Sequence, residues 1–437
     1  MFLAFDDTDS PSGMCTTYLM EEFLRKVNLD VIGYPRLVRL NPNIRYKTRG
    51  NGALSVHLGR GIGKKHTIGE LHGKILYGYA EGEDEYDENV LYVMKDLVEK
   101  YSELDYFNTN PGIVVSKNPF PENYYWSALE REIRIEEAEN FITENNGKFL
   151  KFKSGRGIIG SGAAISWPAT RTTYEILAYK YPHPEEIETE KKMRLSILAD
   201  TFRGTFNNVD IANKYPAIFP NPKTPVIFGI RGLYPSVLAN AAKKVIDDGS
   251  INYDSTVTYL TNQATDDHII DEPNVIEDLH SYKITAEIID KPFSVAGGHY
   301  FVRSISRAGE FTAAAFEPTK EFRHTFSKLM PGDTVTFYGS FTNGNLNVEK
   351  MQIISVSRVF SRVTPLCKFC NTRTKSKGKN DFRCPKCGRR YNTPDYHEVK
   401  REISPGKYDV PVVARRHLSM PFEIESMFKT KINALEA

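Results

Sequence analysis

The chain lacks any apolar stretch long enough to span a bilayer, and its first residues enter a strand-like run without the basic and apolar regions of a secretion signal. Cysteine is scarce: there are five in 437 residues, four of them in one short segment. That usage argues against a secreted disulfide framework, so a cytoplasmic, reducing compartment is expected. Net charge is low as well, at +2, but the total conceals an asymmetry, because residues 361–437 carry +9 and the rest −7. A basic end on a mildly acidic body points to a polyanionic partner. With 40% hydrophobic residues the length suits about two to four soluble domains.

What is present begins at residue 2. The apolar run Phe2–Phe5 stops at Asp6, Asp7, Thr8, Asp9 and Ser10, three carboxylates within four positions. Carboxylates so close repel one another and resist burial unless a cation or hydrogen-bond donors compensate, and hard oxygen ligands suit Mg2+ carrying phosphates. A solvated turn is the plainer alternative. After the turn Pro11–Gly13, apolar residues at helical spacing run from Met14 to about Val27. Amides at such a helix start favour phosphate, so Thr16 or Thr17 is placed to hold one or receive one; the alternative is an ordinary N-cap.

Further along, Lys148–Lys153 alternates like a strand and leads into Ser154 to Gly162, which contains G-R-G-I-I-G (Gly155, Arg156, Gly157, Gly160). Without a well-placed acid on a second strand this is weak evidence for a dinucleotide site; the glycines suit either backbone approach to a triphosphate or a tight turn. A basic run, Arg36, Arg39, Arg45, Lys47 and Arg49, reads as a loop between strands, with Lys47 and Arg49 as candidates to neutralise phosphates. Two polar clusters, Thr201 to Asp210 (including Asn207) and Thr261 to His268 (including Asn262, Gln263, Asp266 and Asp267), are rich enough in amides and carboxylates to hold a cationic small molecule; each alone also suits a turn.

Cys367, Cys370, Cys384 and Cys387 form C-x2-C-x13-C-x2-C, two knuckles that present four thiolates to one Zn2+ in a closed, structural shell. Between and beside them nine Lys and Arg face one acid, Asp381, as expected for a surface contacting a phosphate backbone. Over 278–360, strands are expected at Lys283–Ile289, His299–Ile305, Phe311–Glu317, Asp333–Gly339 and Leu346–Val356, with a helix at Glu321–Leu329 after the third. That is the order of an OB barrel, and Phe301, Phe311, Phe316, Phe337, Tyr338 and Phe341 divide between its core and a stacking surface.

In combination these strings resemble one family, the archaeal tRNA-Ile 2-agmatinylcytidine synthetases (TiaS). The resemblance rests on F-D-D-T-D-S with G-M-C-T-T-Y-L (Gly13–Leu19), the run Arg36–Ala53, G-R-G-I-I-G, T-N-Q-x-T-D-x-H (Thr261–His268), E-P-T-K-x-F-R (Glu317–Arg323) and the four-cysteine ribbon, which together span the chain. It implies an α+β multidomain protein: a kinase-like domain (1–60 and 136–200) interleaved with a ferredoxin-like domain (61–135 and 201–277), an OB fold (278–360), and a zinc ribbon with a basic C-terminal region (361–437).

The implied activity is ATP-dependent conjugation of agmatine to C2 of the wobble cytidine of tRNA-Ile with a CAU anticodon, with no protein partner and no membrane. Asp6, Asp7 and Asp9 would bind Mg2+ and ATP phosphates, with Thr16 the phosphorylated threonine. Lys47, Arg49, Gly155, Arg156, Gly157 and Gly160 would contact phosphate, and Asn207, Asp210, Asn262, Gln263 and Asp266 would hold agmatine. One departure is Ala264, where glycine is expected in the family. Two rival functions are a non-catalytic RNA-binding factor and a nucleic-acid kinase that stops at phosphate transfer.

Overall fold

A computed structural model describes residues 1–11, 13–46, 50–220 and 223–436. Strand β1 (Phe2–Asp6) lies between the antiparallel strands Gly52–Leu71 and Gly112–Ser116. Leu3 and Phe5 enter one core with Leu19, Phe23, Met94 and Leu97, while Phe2 and Ala4 enter another with Tyr125, Ile142, Ala163 and Ile165. A strand covered on both faces has no polar side, which is why the sequence stays apolar at every position until Asp6.

β1 belongs to a ten-stranded sheet in the order Lys148–Lys151, Gly112–Ser116, β1, Gly52–Leu71, Lys74–Asp84, Asp30–Arg39, Ser255–Thr261, Thr173–Tyr179, Val226–Gly232, Thr205–Phe206. Helix α1 (Thr16–Lys26) and helix Asn89–Tyr101 cover one face; α2 (Gly157–Ser166), Asn123–Glu130 and Ile135–Glu144 cover the other. At the far end, helices Thr189–Asp200 and Pro235–Gly249 pack through Leu195, Ala199 and Leu238 onto Phe228 and its neighbours. The sheet passes without a break through both of the units expected to be interleaved. Arg36 and Arg39, read from sequence as loop residues, lie on strand Asp30–Arg39, where the pattern Leu37-Val38 buries both hydrophobes. Lys47 and Arg49 lie outside the described residues.

The next strands close into a five-stranded barrel. Ser281–Ile288 pairs with both Thr334–Thr342 and His299–Ser306; the latter pairs with Gly309–Ala315, which runs parallel to Asn345–Ser355, and that strand returns to Thr334–Thr342. The expected strand ends agree with these to within three residues. Phe311 and Phe337 are in the barrel core, while Phe301, Phe316, Tyr338 and Phe341 are half-buried. A three-stranded ribbon follows.

The chain does not end at the ribbon. Gly406–Asp409 adds to barrel strand Asn345–Ser355, and the chain then returns to the ten-stranded sheet, where Phe428 of the last helix joins Phe206, Leu233, Ala264 and Met420 in a small core. This return changes the meaning of the basic tail. The nine cations of the ribbon are exposed, but Arg415 donates to Asn207, Arg416 to Asn43 and Ser340, and Lys431 to the Thr172 carbonyl. Part of the positive charge therefore fastens the tail to the body. Among the described residues no helix is long and apolar enough to cross a membrane.

Candidate nucleotide and acceptor site

The acidic cluster sits where β1 leaves the sheet. Asp7 adopts φ +59°, a left-handed conformation that turns the chain sharply, and its amide donates to Asp6 Oδ1 at 2.7 Å. Helix α2 abuts this turn. A Cβ on Gly160 would collide with Asp6 Oδ2, and one on Gly157 with the Asp6 carbonyl oxygen, so glycine lets the first turn of α2 reach the acids. Gly155, at φ +66°, makes the preceding turn. Arg156 donates to Asp7 Oδ2 at 2.8 Å and to the Asn108 carbonyl at 3.0 Å.

Burial, then the neighbouring charge of Asp7, pushes the Asp6 pKa up to about 8. Burial also raises Asp7, to about 6, against the opposing pull of Arg156. Carboxyls raised in this way are poorly compensated by their surroundings, and a divalent cation would supply the missing charge. Asp6, Asp7 and Asp9 offer hard oxygen donors of the kind Mg2+ takes, but among the described residues the side chains already close enough to hold one ion are the four cysteines.

Two adjoining chambers share these residues. The first is lined by the polar groups of Asp6, Asp7, Asp9, Thr16, Arg131, Glu132 and Arg156, by Gly157 and Gly160, and by the apolar side chains Leu40, Ile44, Ile133 and Ile159, with Tyr46 over Arg156. Carboxylates and helix-start amides beside apolar side chains are the chemistry that a nucleoside with its phosphates calls for. The second chamber, about 230 Å³, is walled by Leu37, Leu54, Leu177, Pro220 and Val226, with Arg39, Glu175 and His417 as polar members. Asp9, Thr16, Gly50 and Gly52 line both. The N-cap of α1 is Cys15, so Thr16 is the first helical residue rather than a cap; it is buried. Thr16 thus lines both spaces.

None of Asn207, Asp210, Asn262, Gln263 and Asp266 is among the described residues lining either chamber. Their polar groups meet the chain itself. Asn207 Oδ1 accepts from Arg415, and Asp210 accepts from Asn213 and from the Val413 amide. Asp266 accepts from Lys350 Nζ at 2.5 Å and the Met420 amide at 2.7 Å. Asn262 exchanges two bonds with the Arg39 backbone (2.7 and 2.8 Å) and donates to Tyr125. The two polar clusters are held together by the returning tail, residues 413–420. Gln263 contacts two residues that line the second chamber: it donates to Glu175 Oε2 at 2.5 Å and touches His417 Nδ1 at 3.0 Å. Ala264, where the resemblance implies glycine, is buried at φ +55°, a backbone conformation that glycine adopts without strain.

Sequence reasoning passed over Glu175 and His417. Glu175 had a signal, being the one acid in the strand Thr173–Tyr179, where it pairs with Arg231 at 3.0 Å. His417 had none, because its surroundings come from elements more than 150 residues away. The four ribbon cysteines offer sulfur atoms all within 4.8 Å of one another, a spacing that fits one tetrahedral Zn2+.

Comparison with known proteins agrees along the chain. Residues 2–154 match the TiaS TCKD domain, 155–268 the TiaS FLD domain, and 364–403 the TiaS C-terminal zinc ribbon domain. The isoleucine-tRNA 2-agmatinylcytidine synthetase TiaS of Archaeoglobus fulgidus is 35% identical over 96% of each chain, and that of Methanocaldococcus jannaschii 34% identical over 97% of this chain and 98% of its own. The crystal structure of TiaS in complex with its isoleucine tRNA and ATP superposes with a TM-score of 0.82 at 33% identity, covering 97% of this chain and 96% of that one. A complex of TiaS with the same tRNA, AMPCPP and agmatine gives 0.79 at 31% identity, over 97% and 96%.

Proposed function

The chain belongs to the TiaS family, and from that membership we propose that it is an ATP-dependent ligase joining agmatine to C2 of the wobble cytidine of CAU-anticodon tRNA-Ile, forming agmatidine so that the tRNA reads AUA. The observation that carries the reading is the meeting of the two chambers at Asp9 and Thr16. A cytosine C2 oxygen is a very poor leaving group until it is phosphorylated, so the chemistry needs a triphosphate on one side of a short partition and the base on the other.

In this reading the apolar side chains of the first chamber take the adenosine, and the first turns of α1 and α2, Arg156 and the Asp6–Asp9 loop take the phosphates. Asp6, Asp7 and Asp9 would hold Mg2+, which supplies neutralisation of phosphate charge when bound. Thr16 is the threonine we assign as phosphate acceptor, its burial excluding water from the transfer. The second chamber admits the reacting ends of the flipped cytidine and the amine. Flipping costs a few kcal/mol, which tRNA contacts offset. The barrel and the exposed basic ribbon are assigned those contacts.

Three finer assignments belong to this proposal. The barrel is an OB fold, supported by the parallel third-to-fifth strand pairing that closes it. The β1 side of the sheet is kinase-like, and the far side, with two helices on one face, ferredoxin-like. The test is to incubate the protein with unmodified CAU-anticodon tRNA, ATP, Mg2+ and agmatine, omitting each in turn, and to weigh the wobble nucleoside by mass spectrometry. A mass gain that vanishes without agmatine is expected; a gain that persists without it means a kinase, and none at all means an RNA-binding factor.

A further inference from the structure

We propose that the second chamber holds a phosphate monoester and that Arg39 is its counter-charge; this rests on the ligase reading above, in which the ester is carried by Thr16 or by the cytosine C2 oxygen. Arg39 is the one arginine or lysine among the described residues lining that chamber, and Thr16 lines it too. Positive charge is in excess there. Glu175 is already held by Arg231 at 3.0 Å and by the Gln263 amide at 2.5 Å, whereas Arg39 Nη2 stands 3.9 Å from it, beyond hydrogen-bond length. Two guanidiniums therefore share one carboxylate. Asp9 also attracts Arg39, but the reading above gives Asp9 to the cation of the first chamber.

A guanidinium has five N–H donors. The Arg39 side chain is 14% exposed, and its one hydrogen bond among the described residues runs from Nη1 to the Gly50 carbonyl at 3.2 Å. Its Nε is buried without a partner. Burial lowers the Arg39 pKa from the usual arginine value, with Glu175 opposing. A cation so enclosed and so sparsely bonded is costly to keep unless an anion joins it. Its backbone is fixed in advance, because the Asn262 side chain bonds the Arg39 amide at 2.7 Å and the carbonyl at 2.8 Å.

The ligand chemistry follows from charge and shape. A phosphate monoester carries close to two negative charges near neutral pH and three acceptor oxygens. In a space of about 230 Å³ walled by Leu37, Leu54, Leu177 and Val226, it needs a counter-charge to stay ionised. A guanidinium supplies that charge together with paired N–H groups. Thr16 and Thr17 open α1 and line the same chamber, and Cys15 at the N-cap makes no side-chain cap bond, so the positive end of the helix adds to Arg39.

The test follows the ester. Wild type and Arg39→Met, which replaces the charge with an unbranched apolar chain, are incubated with ATP, Mg2+ and unmodified CAU-anticodon tRNA without agmatine, and mass spectrometry locates phosphate in the digested protein and in the tRNA nucleosides. Phosphothreonine places the ester on Thr16, and a phosphorylated cytidine places it on the base. R39M is expected to hold about 100-fold less of whichever ester wild type forms, with ATP affinity changed less than about 3-fold, and R39K to recover part of the loss. The Tm of the ligand-free protein is a second readout. Removing an undercompensated cation should leave R39M as stable as wild type or more so, whereas removing a structural ion pair lowers Tm. An ester level equal to that of wild type, a loss of ATP affinity as large as the loss of ester, or an R39M that fails to fold or melts more than about 5 °C lower would make Arg39 a structural partner of Glu175 and overturn the inference alone. A wild-type protein that forms neither ester overturns the ligase reading, and this inference with it.

Discussion

Two carboxylates in this molecule, Glu349 in the interior and Asp6 half-buried in the wall of a chamber, behave in opposite ways. Glu349, inside the junction of barrel, sheet and tail, accepts from Ser340 at 2.9 Å, faces His268 Nε2 at 3.1 Å and lies 3.5 Å from Arg416. Burial pushes its pKa up, yet the charges of His268 and Arg416 outweigh that and bring it down to about 2. For Asp6 the Asp7 amide and the charge of Arg156 compensate too little: burial and neighbouring acids leave it at about 8. The difference separates a carboxylate whose compensation is built into the fold from one whose compensation must arrive with a ligand. The first holds the junction together, and the second leaves a place for a cation.

The comparison can be broken most forcefully at Asp7. Asp7→Asn is expected to lower ATP cleavage about 10³-fold while tRNA affinity stays near wild type, measured by nucleotide turnover and filter binding. Unchanged turnover would place Asp7 among the structural acids. Next, Glu349→Gln should cost about 3 kcal/mol of unfolding free energy, because His268 and Arg416 lose their shared counter-charge. Glu349's folded pKa is depressed, so its contribution is present above about pH 4.5 and lost as pH falls toward 2. Chemical denaturation across that window reads the loss directly, and a flat difference between wild type and variant contradicts it.

The smallest effect has the opposite sign. Asp6→Asn should stabilise the ligand-free protein by about 1–2 kcal/mol near pH 8. With a raised folded pKa, the native state keeps a proton that the unfolded chain has released. Wild-type stability therefore declines from about pH 4 to about pH 8, and the variant should not share that decline. Adding Mg2+ and ATP should reverse the order, raising the Tm of wild type above that of the variant. If Asp6→Asn instead destabilises at pH 8, the acid cluster is compensated within the fold after all.

How much of this was legible in the sequence depended on whether a signal was local. Apolar alternation located all five barrel strands, cysteine spacing identified the ribbon, and the acids after β1 marked the place where the chambers meet. The amides and carboxylates around Asn207 and Asp266 were expected to hold a cationic small molecule, and sequence offered no way to know that the chain's own Arg415 and Lys350 sit there.

By itself, then, the sequence determined the elements, the metal-binding knuckles and the kind of chemistry present, because periodicity and spacing act over a few residues. Only the tertiary structure decided which polar groups share a chamber. Asp9, Glu175 and His417 are brought to one wall by a sheet strand and a tail that returns from beyond the ribbon. A side chain's partners across such distances are chosen by the packing of whole layers, and no local pattern encodes that choice.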